Sequence, residues 1–236
     1  MAAEGRDEGV LFFVYGGCTF RLDPGVQPPK AGSLLFCRHL GARPGERVLD
    51  LGSGAGVAAV LAARAGARVV ATDIRPEAVA CTRANAARNG VSVDAREGDG
   101  FAPVRELSFD LIGTSPPQMP TPPGLDREDA EAAADNGGPD GWALLERLIR
   151  ECPAHLAPGG RLVFTLFGFL GLERARRHLR AAGLEPAVLA REAQPFPRLG
   201  HERLDYLRGL DVEGAIPRDA RPRTVERYVL EGRRPA

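Results

Sequence analysis

Hydrophobic positions along the chain switch between two periods. The first apolar run, VLFFVYGGCTFRLD (residues 10–23), is interrupted by Gly16-Gly17 and predicts two strands joined as a hairpin. PGVQPPKAG reads as a Pro/Gly loop. SLLFCRHLGA (33–42) predicts a short helix with Ser33 at its N-cap. From residue 46 onward, short apolar runs alternate with amphipathic stretches. ERVLDL (46–51), ARVVATD (67–73), VSVDAREGD (91–99), FDLIGT (109–114), GRLVFTLFG (160–168), EPAVLAREA (185–193) and RTVERYVLEGR (223–233) predict strands. GVAAVLAARAG (56–66), RPEAVACTRANAARNG (75–90), DGWALLERLIREC (140–152) and LERARRHLRAAG (172–183) predict helices. Pro76 near a first turn and Gly90 just past an end suit the third helix of the chain, and Asp140 suits the cap of the next.

This order predicts an α/β fold. Its core is a doubly wound, Rossmann-like, mostly parallel seven-stranded sheet, with an N-terminal β-hairpin as an appendage. Two stretches, 115–139 and roughly 195–222, have no period. Loops that long inside a compact domain are uncommon and often functional. Nothing between elements reads as a linker. Residues 1–236 are therefore expected to form one domain, with 1–45 as a hairpin and lid segment and 46–236 as the catalytic core.

Composition narrows the function classes. Lys+Arg and Asp+Glu are both 31, so the formal net charge is zero, which gives no general pull toward nucleic acid or an anionic membrane. Cys18, Cys37, Cys81 and Cys152 are far apart and no pair has zinc or redox spacing, so reduced thiols and no metal are expected. The N-terminal MAAEGRDEG is polar, unlike a signal peptide, and no stretch approaches about 18 uninterrupted apolar residues. A cytoplasmic protein without membrane contact is the expectation, and its oligomeric state stays open.

The chemistry-bearing stretch is VLDLGSGAG. Asp50 ends the first sheet strand, and Gly52, Gly54 and Gly56 precede a helix. Glycines there let the backbone turn tightly and approach a ligand, and the helix N-terminus offers free N–H groups. Nineteen residues past Gly54, Asp73 ends the second strand, where a carboxylate can accept ribose hydroxyls. The loop spacing is G-x-G-x-G, where a dinucleotide loop would read G-x-G-x-x-G/A. Asp50 beside the glycines suits a cationic amino-acid tail better than a pyrophosphate, which it would repel. In EGDGF (97–101), Asp99 is placed to meet an adenine amino group and Phe101 to pack on the ring. A turn at the end of that strand explains the same residues.

In order, VLDLGSGAG, ATD, GDG and TSPP resemble the motifs of class I S-adenosylmethionine (SAM)-dependent methyltransferases. That resemblance implies SAM as cofactor, with S-adenosylhomocysteine as product. The residues expected on it are Asp50, Gly52, Ser53, Gly54, Gly56, Asp73, Ile74, Asp99, Gly100 and Phe101. More narrowly, the chain is similar to the HemK-type protein-glutamine methyltransferases, whose fourth motif is NPPY and is followed by a Gly-Gly-x-Asp-Gly segment. Here these read Ser115-Pro116-Pro117-Gln118 and Gly137-Gly138-Pro139-Asp140-Gly141. Only about 45 residues precede the first motif, so the family's helical N-terminal domain is expected to be missing.

In NPPY enzymes the Asn and a proline carbonyl accept hydrogen bonds from the acceptor amine, and the Tyr covers it. Ser115, Pro116, Pro117 and Gln118 are therefore the expected catalytic residues. Ser115 can still accept a hydrogen bond, whereas Gln118 has no ring on which to stack a flat acceptor but carries a donor and an acceptor. That substitution suggests a small polar acceptor, most simply a nitrogen of an amino-acid-like or secondary metabolite. A protein glutamine is the alternative, and a non-catalytic nucleoside-binding protein is a further one. A nucleic-acid acceptor is disfavoured, since no basic face or stacking ring is evident. Tyr15, Lys30 and Ser33 are candidates for a lid, Asp135 and Asn136 for the acceptor side, and His201 for a base. Trp142 is expected in the core.

Overall fold

A computed structural model describes residues 10–125 and 135–236. The polar first nine residues and 126–134, the middle of the first long loop, lie outside the described residues. Strands β1 (Leu11–Tyr15) and β2 (Cys18–Leu22) form the predicted antiparallel hairpin. Gly16 and Gly17 turn it with φ of 58° and 71°, a conformation that suits the twist of the strands and that glycine adopts without strain.

After the loop come α1 (Ala31–His39), β3 (Arg47–Leu51), α2 (Val57–Arg64), β4 (Arg68–Asp73), α3 (Pro76–Arg88), β5 (Val93–Glu97) and β6 (Phe109–Thr114). Then follow α4 (Ala143–Glu151), β7 (Leu156–Phe167), α5 (Leu172–Ala181), β8 (Glu185–Pro195), α6 (Arg198–Glu202), α7 (Leu204–Leu210) and β9 (Thr224–Arg233). The seven-stranded sheet has the order β5-β4-β3-β6-β7-β9-β8. Strands β3 to β7 run parallel, and β9 inserts antiparallel to both β7 and β8.

Both faces of the sheet are covered, so its strands are apolar on both sides. Val48 joins Leu35, Phe36 and Ala59 in the cluster under α1 and α2, while its neighbour Leu49 joins Trp142, Leu145 and Ile149 in the cluster around α4. Each such fully buried aliphatic side chain contributes about 1.5–3 kcal/mol. The hairpin is fastened to α3 by two asparagines one helical turn apart. Asn85 accepts from Arg21 N (2.8 Å) and donates to Arg21 O (2.9 Å). Asn89 does the same with Thr19 N and O, at 2.9 Å each. Both amides act as an extra strand edge for β2.

Three sequence expectations shift. Helix α1 starts earlier, with Lys30 as its N-cap and Ser33 inside its first turn. A glycine there reads as loop, but the bare Cα of Gly32 packs on Arg227, where an added Cβ would lie 3.0 Å from the guanidinium carbon. Helix α4 starts at Ala143 with Trp142 at the cap position. Asp140 instead accepts from Trp142 N (3.1 Å) and Arg174 Nη2 (2.7 Å), tying the turn to α5. The 195–222 stretch carries α6 and α7, five and seven residues long and too short to show a period.

The chain runs outward from β3 to β4 and β5, then returns to β6 on the other side of β3. Ligands of open α/β sheets bind at such a reversal, beyond the carboxyl ends of the strands.

Candidate active site

A cavity of about 780 Å³ opens at that reversal, within the range of about 300–1,000 Å³ typical of ligand pockets. The glycine loop forms one wall. Gly52 and Gly54 have φ of 77° and 53°, and a Cβ built on either would meet nothing within 4 Å. Both line the cavity and leave their side of the backbone open to a ligand. Gly56 (φ 75°) serves packing instead, since a Cβ there would sit 2.9 Å from the Thr82 side chain and 3.0 Å from its Cα. It lets α2 and α3 approach each other and is absent from the cavity wall.

Side chains hold the loop in shape. Ser53 Oγ lies 3.0 Å from Thr82 Oγ1, which donates to Gly54 O at 3.1 Å. Asp73 accepts from Gly54 N (2.9 Å) on one oxygen and from Arg75 N (3.0 Å) on the other. Each oxygen retains a second lone pair for a ligand hydroxyl. Asp50 is 4% exposed and accepts from Ala59 N at 3.0 Å. Burial pushes its pKa up to about 7, the Ala59 bond opposes this, and the Asp73 charge adds to it. A cationic group arriving beside Asp50 would relieve that cost. Ile74 exposes 64% of its surface at the rim. The cavity thus fits a nucleoside with a cationic amino-acid tail.

Asp99 and Gly100 also border the cavity. Asp99 is exposed and paired with Arg147 at 2.7 and 2.5 Å, which holds its carboxyl below the usual range. Phe101 lies elsewhere than expected. It is 4% exposed, stacks on His155 with ring centroids 4.4 Å apart, and lies off this cavity wall. The 3-10 turn at Ala102–Val104 rolls its ring into the core beneath α4.

The opposite wall begins where β6 ends. Thr114 Oγ1 donates to Leu51 O (2.8 Å), locking the ends of β6 and β3 together. Ser115 Oγ, half-buried, lies 3.3 Å from Thr165 Oγ1 and 3.5 Å from Ser33 Oγ. Pro116 and Pro117 line the cavity beside it. Gln118 is placed differently from the expectation of a free polar contact. It is 3% exposed, its Nε2 donates to Thr165 O (2.6 Å) and Thr165 Oγ1 (3.1 Å), and its Oε1 accepts from Phe167 N (3.1 Å). Gln118 lines the cavity, and its amide clamps the turn to β7, so its polarity serves the turn and is not a free contact for the acceptor.

The GGPDG segment is the second clamp on this turn. Met119 N donates to Asp135 O, Gly137 N to Met119 O and Thr121 N to Gly138 O, at 2.8–2.9 Å. A Cβ at Gly137 would lie 2.7 Å from the Gln118 carbonyl carbon, and one at Gly141 2.5 Å from its oxygen. Only glycines let the two backbones lie this close.

The other candidates separate. Lys30, Ser33 and Asp135 line the cavity, and Lys30 is ion-paired with Asp135. Tyr15 donates to Leu34 O (2.8 Å), joining hairpin to α1 away from the cavity wall. Asn136 accepts from Gly138 N (2.8 Å) within its own turn. His201 packs on Phe196 and sits 3.2 Å from Arg221 Nε, off the cavity. Its neighbours Pro197, Arg198 and Leu199 do line it. Trp142 is in the core and donates to Leu170 O (3.1 Å). Four side chains were not anticipated: Thr82, Thr165, Phe167 and Arg227. Thr82 had a signal, a polar residue on the inner face of a helix. Phe167 and Arg227 line the cavity, and Thr165 supports Ser115 and Gln118 behind it, only through strand register.

A family model described as the methyltransferase small domain matches residues 18–121. Over 184 residues the chain is 32% identical to a candidate protein N5-glutamine methyltransferase of Methanocaldococcus jannaschii, covering 78% of this chain and 93% of that protein. The chain belongs to the class I SAM-dependent methyltransferases, on the branch of the release-factor glutamine methyltransferases. A release factor glutamine methyltransferase of Cereibacter sphaeroides is 35% identical over 202 residues, covering 81% of this methyltransferase and 69% of the relative. Three other curated relatives are longer, and this chain spans 35%, 56% and 40% of them. Among solved structures, the E. cuniculi Mtq2–Trm112 complex superposes with a TM-score of 0.61 at 18% identity, covering 89% of this methyltransferase and 99% of that chain. Among the described residues, no helix of the methyltransferase is long and apolar enough to cross a membrane.

Proposed function

We propose that this methyltransferase transfers the methyl group of SAM to the side-chain amide nitrogen of a glutamine in a protein. The observation that carries the reading is the 32% identity to the archaeal candidate glutamine methyltransferase across 93% of its length. The small-molecule expectation drew in part on Gln118 as a free polar contact, and that amide is bonded to β7.

In this assignment Asp50 faces the ammonium of the amino-acid tail, and the open side of Gly52, Ser53 and Gly54 takes the tail itself. Asp73 accepts the ribose hydroxyls, Asp99 and Gly100 meet the adenine edge, and Ile74 covers the ring. Gly56 and Phe101 act through packing. Bound SAM supplies a methyl group already activated for displacement. The chain must then align the acceptor and exclude water, and alignment alone can lower a barrier by about 7–11 kcal/mol. An amide nitrogen is a poor nucleophile because its lone pair is shared with the carbonyl. Ser115 Oγ and the carbonyls of a turn stiffened by Pro116 and Pro117 accept its N–H bonds and point the lone pair at the methyl; as the N–C bond forms the methyl–sulfur bond breaks, S-adenosylhomocysteine leaves with that electron pair, and the methylated amide gives up one N–H proton to solvent.

The test is methyl incorporation from labelled SAM into a peptide containing one glutamine, beside the same peptide carrying asparagine or lysine there. Label confined to the glutamine side-chain amide is the expected result. Turnover of small amines with no label in any glutamine peptide would reject the assignment.

A further inference from the structure

The least satisfied charge in the cavity wall belongs to Arg227. Its Nε is buried and has no hydrogen-bond partner. Two more deeply buried arginines are anchored: Arg161 holds Glu46 at 2.7 and 3.0 Å and Gly41 O at 2.6 Å, and Arg203 holds Pro120 O and Thr121 Oγ1 at 2.9 Å, whereas Arg227 is half-buried. Arg227 is instead held by contact with its faces. Its guanidinium carbon lies 3.1 Å from the centroid of Phe167, its register partner on β7, and the bare Cα side of Gly32 presses on the same group. Gln118 fixes Phe167 in turn through the backbone N–H. Packing therefore positions the guanidinium and leaves its Nε without a partner among the described residues. The one acidic group among the described residues whose charge acts on it, Asp135, is bound by Lys30.

We infer that Arg227 is the acceptor-binding residue of the cavity and that it takes a carboxylate carried by the acceptor chain. A charge drawn partly out of water is costly unless it is paired, and the planar fork of arginine matches a carboxylate with two parallel bonds. Desolvation holds its pKa down to about 9, with the Asp135 charge opposing this only in part. A neutral carbonyl would accept a hydrogen bond but leave the charge uncompensated. Building on the glutamine reading above, the carboxylate is either the α-carboxylate of a chain-terminal glutamine or an acidic side chain next to an internal one.

The experiment measures equilibrium binding of peptides to the S-adenosylhomocysteine complex. One is acetyl-Ala-Ala-Gln with a free carboxylate. The second is acetyl-Ala-Ala-Gln-Ala-amide, which is neutral. The third is acetyl-Ala-Ala-Gln-Glu-amide, which carries the charge on a side chain. At least one charged peptide should bind about tenfold or more tightly than the neutral one, the size expected of a charge-assisted pair. Which one does so identifies the source. Arg227→Gln should bring the charged and neutral peptides within about twofold of each other while S-adenosylhomocysteine binding is kept, and Arg227→Lys should restore part of the preference. Equal binding of all three peptides to the unmodified protein, or no binding of any, overturns the inference without relying on a variant that must fold. An unchanged preference in Arg227→Gln does the same. Methyl transfer to the neutral peptide with no preference would leave the glutamine assignment standing and remove the role of Arg227. Preferential binding of a charged peptide that is never methylated would do the reverse.

Discussion

Residues 50–100 supply the whole wall around the glycine loop, whereas the wall across the cavity draws on α1, the end of β6, β7, α6 and β9. The first wall is held by bonds within one βαβ stretch, such as Asp73 to Gly54 N and Thr82 to Gly54 O. The second is held by side chains that cross between strands, such as Gln118 to Thr165 and Phe167. A locally wired wall can lose a contact and keep the fold. A wall wired across the sheet loses stability when a contact goes, because its bonds also hold strands in place. Substitutions should therefore separate ligand affinity from stability in opposite ways on the two sides.

The largest effect is expected at Gln118. Replacing it with Leu leaves the Thr165 carbonyl and the Phe167 N–H buried without their partner. Each unsatisfied group costs about 1–3 kcal/mol. Urea melts should show a loss of about 3 kcal/mol, with acceptor KM raised and SAM affinity within about twofold of the parent. A fall in SAM affinity with unchanged stability would break the distinction between the walls.

Asp73→Ala tests the other side. It removes charge-assisted bonds to two loop N–H groups and any bond to the ribose. SAM should bind roughly 10- to 100-fold more weakly by calorimetry, while the loss of stability stays smaller than that of Gln118→Leu, because neither of the loop bonds is fully buried. Unchanged affinity would take Asp73 out of the cofactor site.

Asp50 predicts a pH dependence of similar origin. Its carboxyl ionises near the ordinary value of 3.8 when unfolded and near 7 when folded. Between these values the folded chain holds a proton that the unfolded chain has released. Its contribution to stability therefore declines as pH rises through that window and is flat above about 7. Binding a cationic tail favours the ionised form. SAM affinity should thus rise with pH, by up to about tenfold per unit below 7, with proton release. Titrations at several pH values in buffers of different ionisation enthalpy would measure both. Asp50→Asn should flatten the profile, and a profile that stays steep would assign the proton to another group.

The same contrast decides what could be read from the sequence. The placement of Asp50, Gly52, Gly54 and Asp73 on one cavity wall was legible because it follows from neighbours in the chain, a strand end, a turn and a helix start. Ser115, Pro116 and Pro117 were legible as a turn after an apolar strand. Gln118 was legible as a cavity residue but its clamp to β7 was not, since a Gln in a loop gives no hint that β7 offers a carbonyl and an N–H at its distance. Arg227 gave no signal at all, because it faces the cavity only once β9 inserts antiparallel beside β7 and sets it opposite Phe167. Helix α1 began early for a related reason: Gly32 looks like a loop residue until the guanidinium it accommodates is in place.

The smallest effect sharpens the contrast most. Ser115 stands on the cross-sheet wall, but its hydroxyl is half-buried and its neighbours, Ser33 Oγ and Thr165 Oγ1, are hydroxyls that can turn to other partners or to water. Ser115→Ala therefore leaves no rigid buried group unsatisfied, and stability should change by less than about 1 kcal/mol. Its loss is felt only when an acceptor N–H must be oriented. A neutral hydrogen bond made in the transition state is worth about 1 kcal/mol, so kcat should fall about fivefold, with SAM affinity unchanged. Weaker SAM binding with normal kcat would move Ser115 to the cofactor side. A loss of stability as large as that expected for Gln118→Leu would show that the turn is wired as one unit, with no separate acceptor contact to remove.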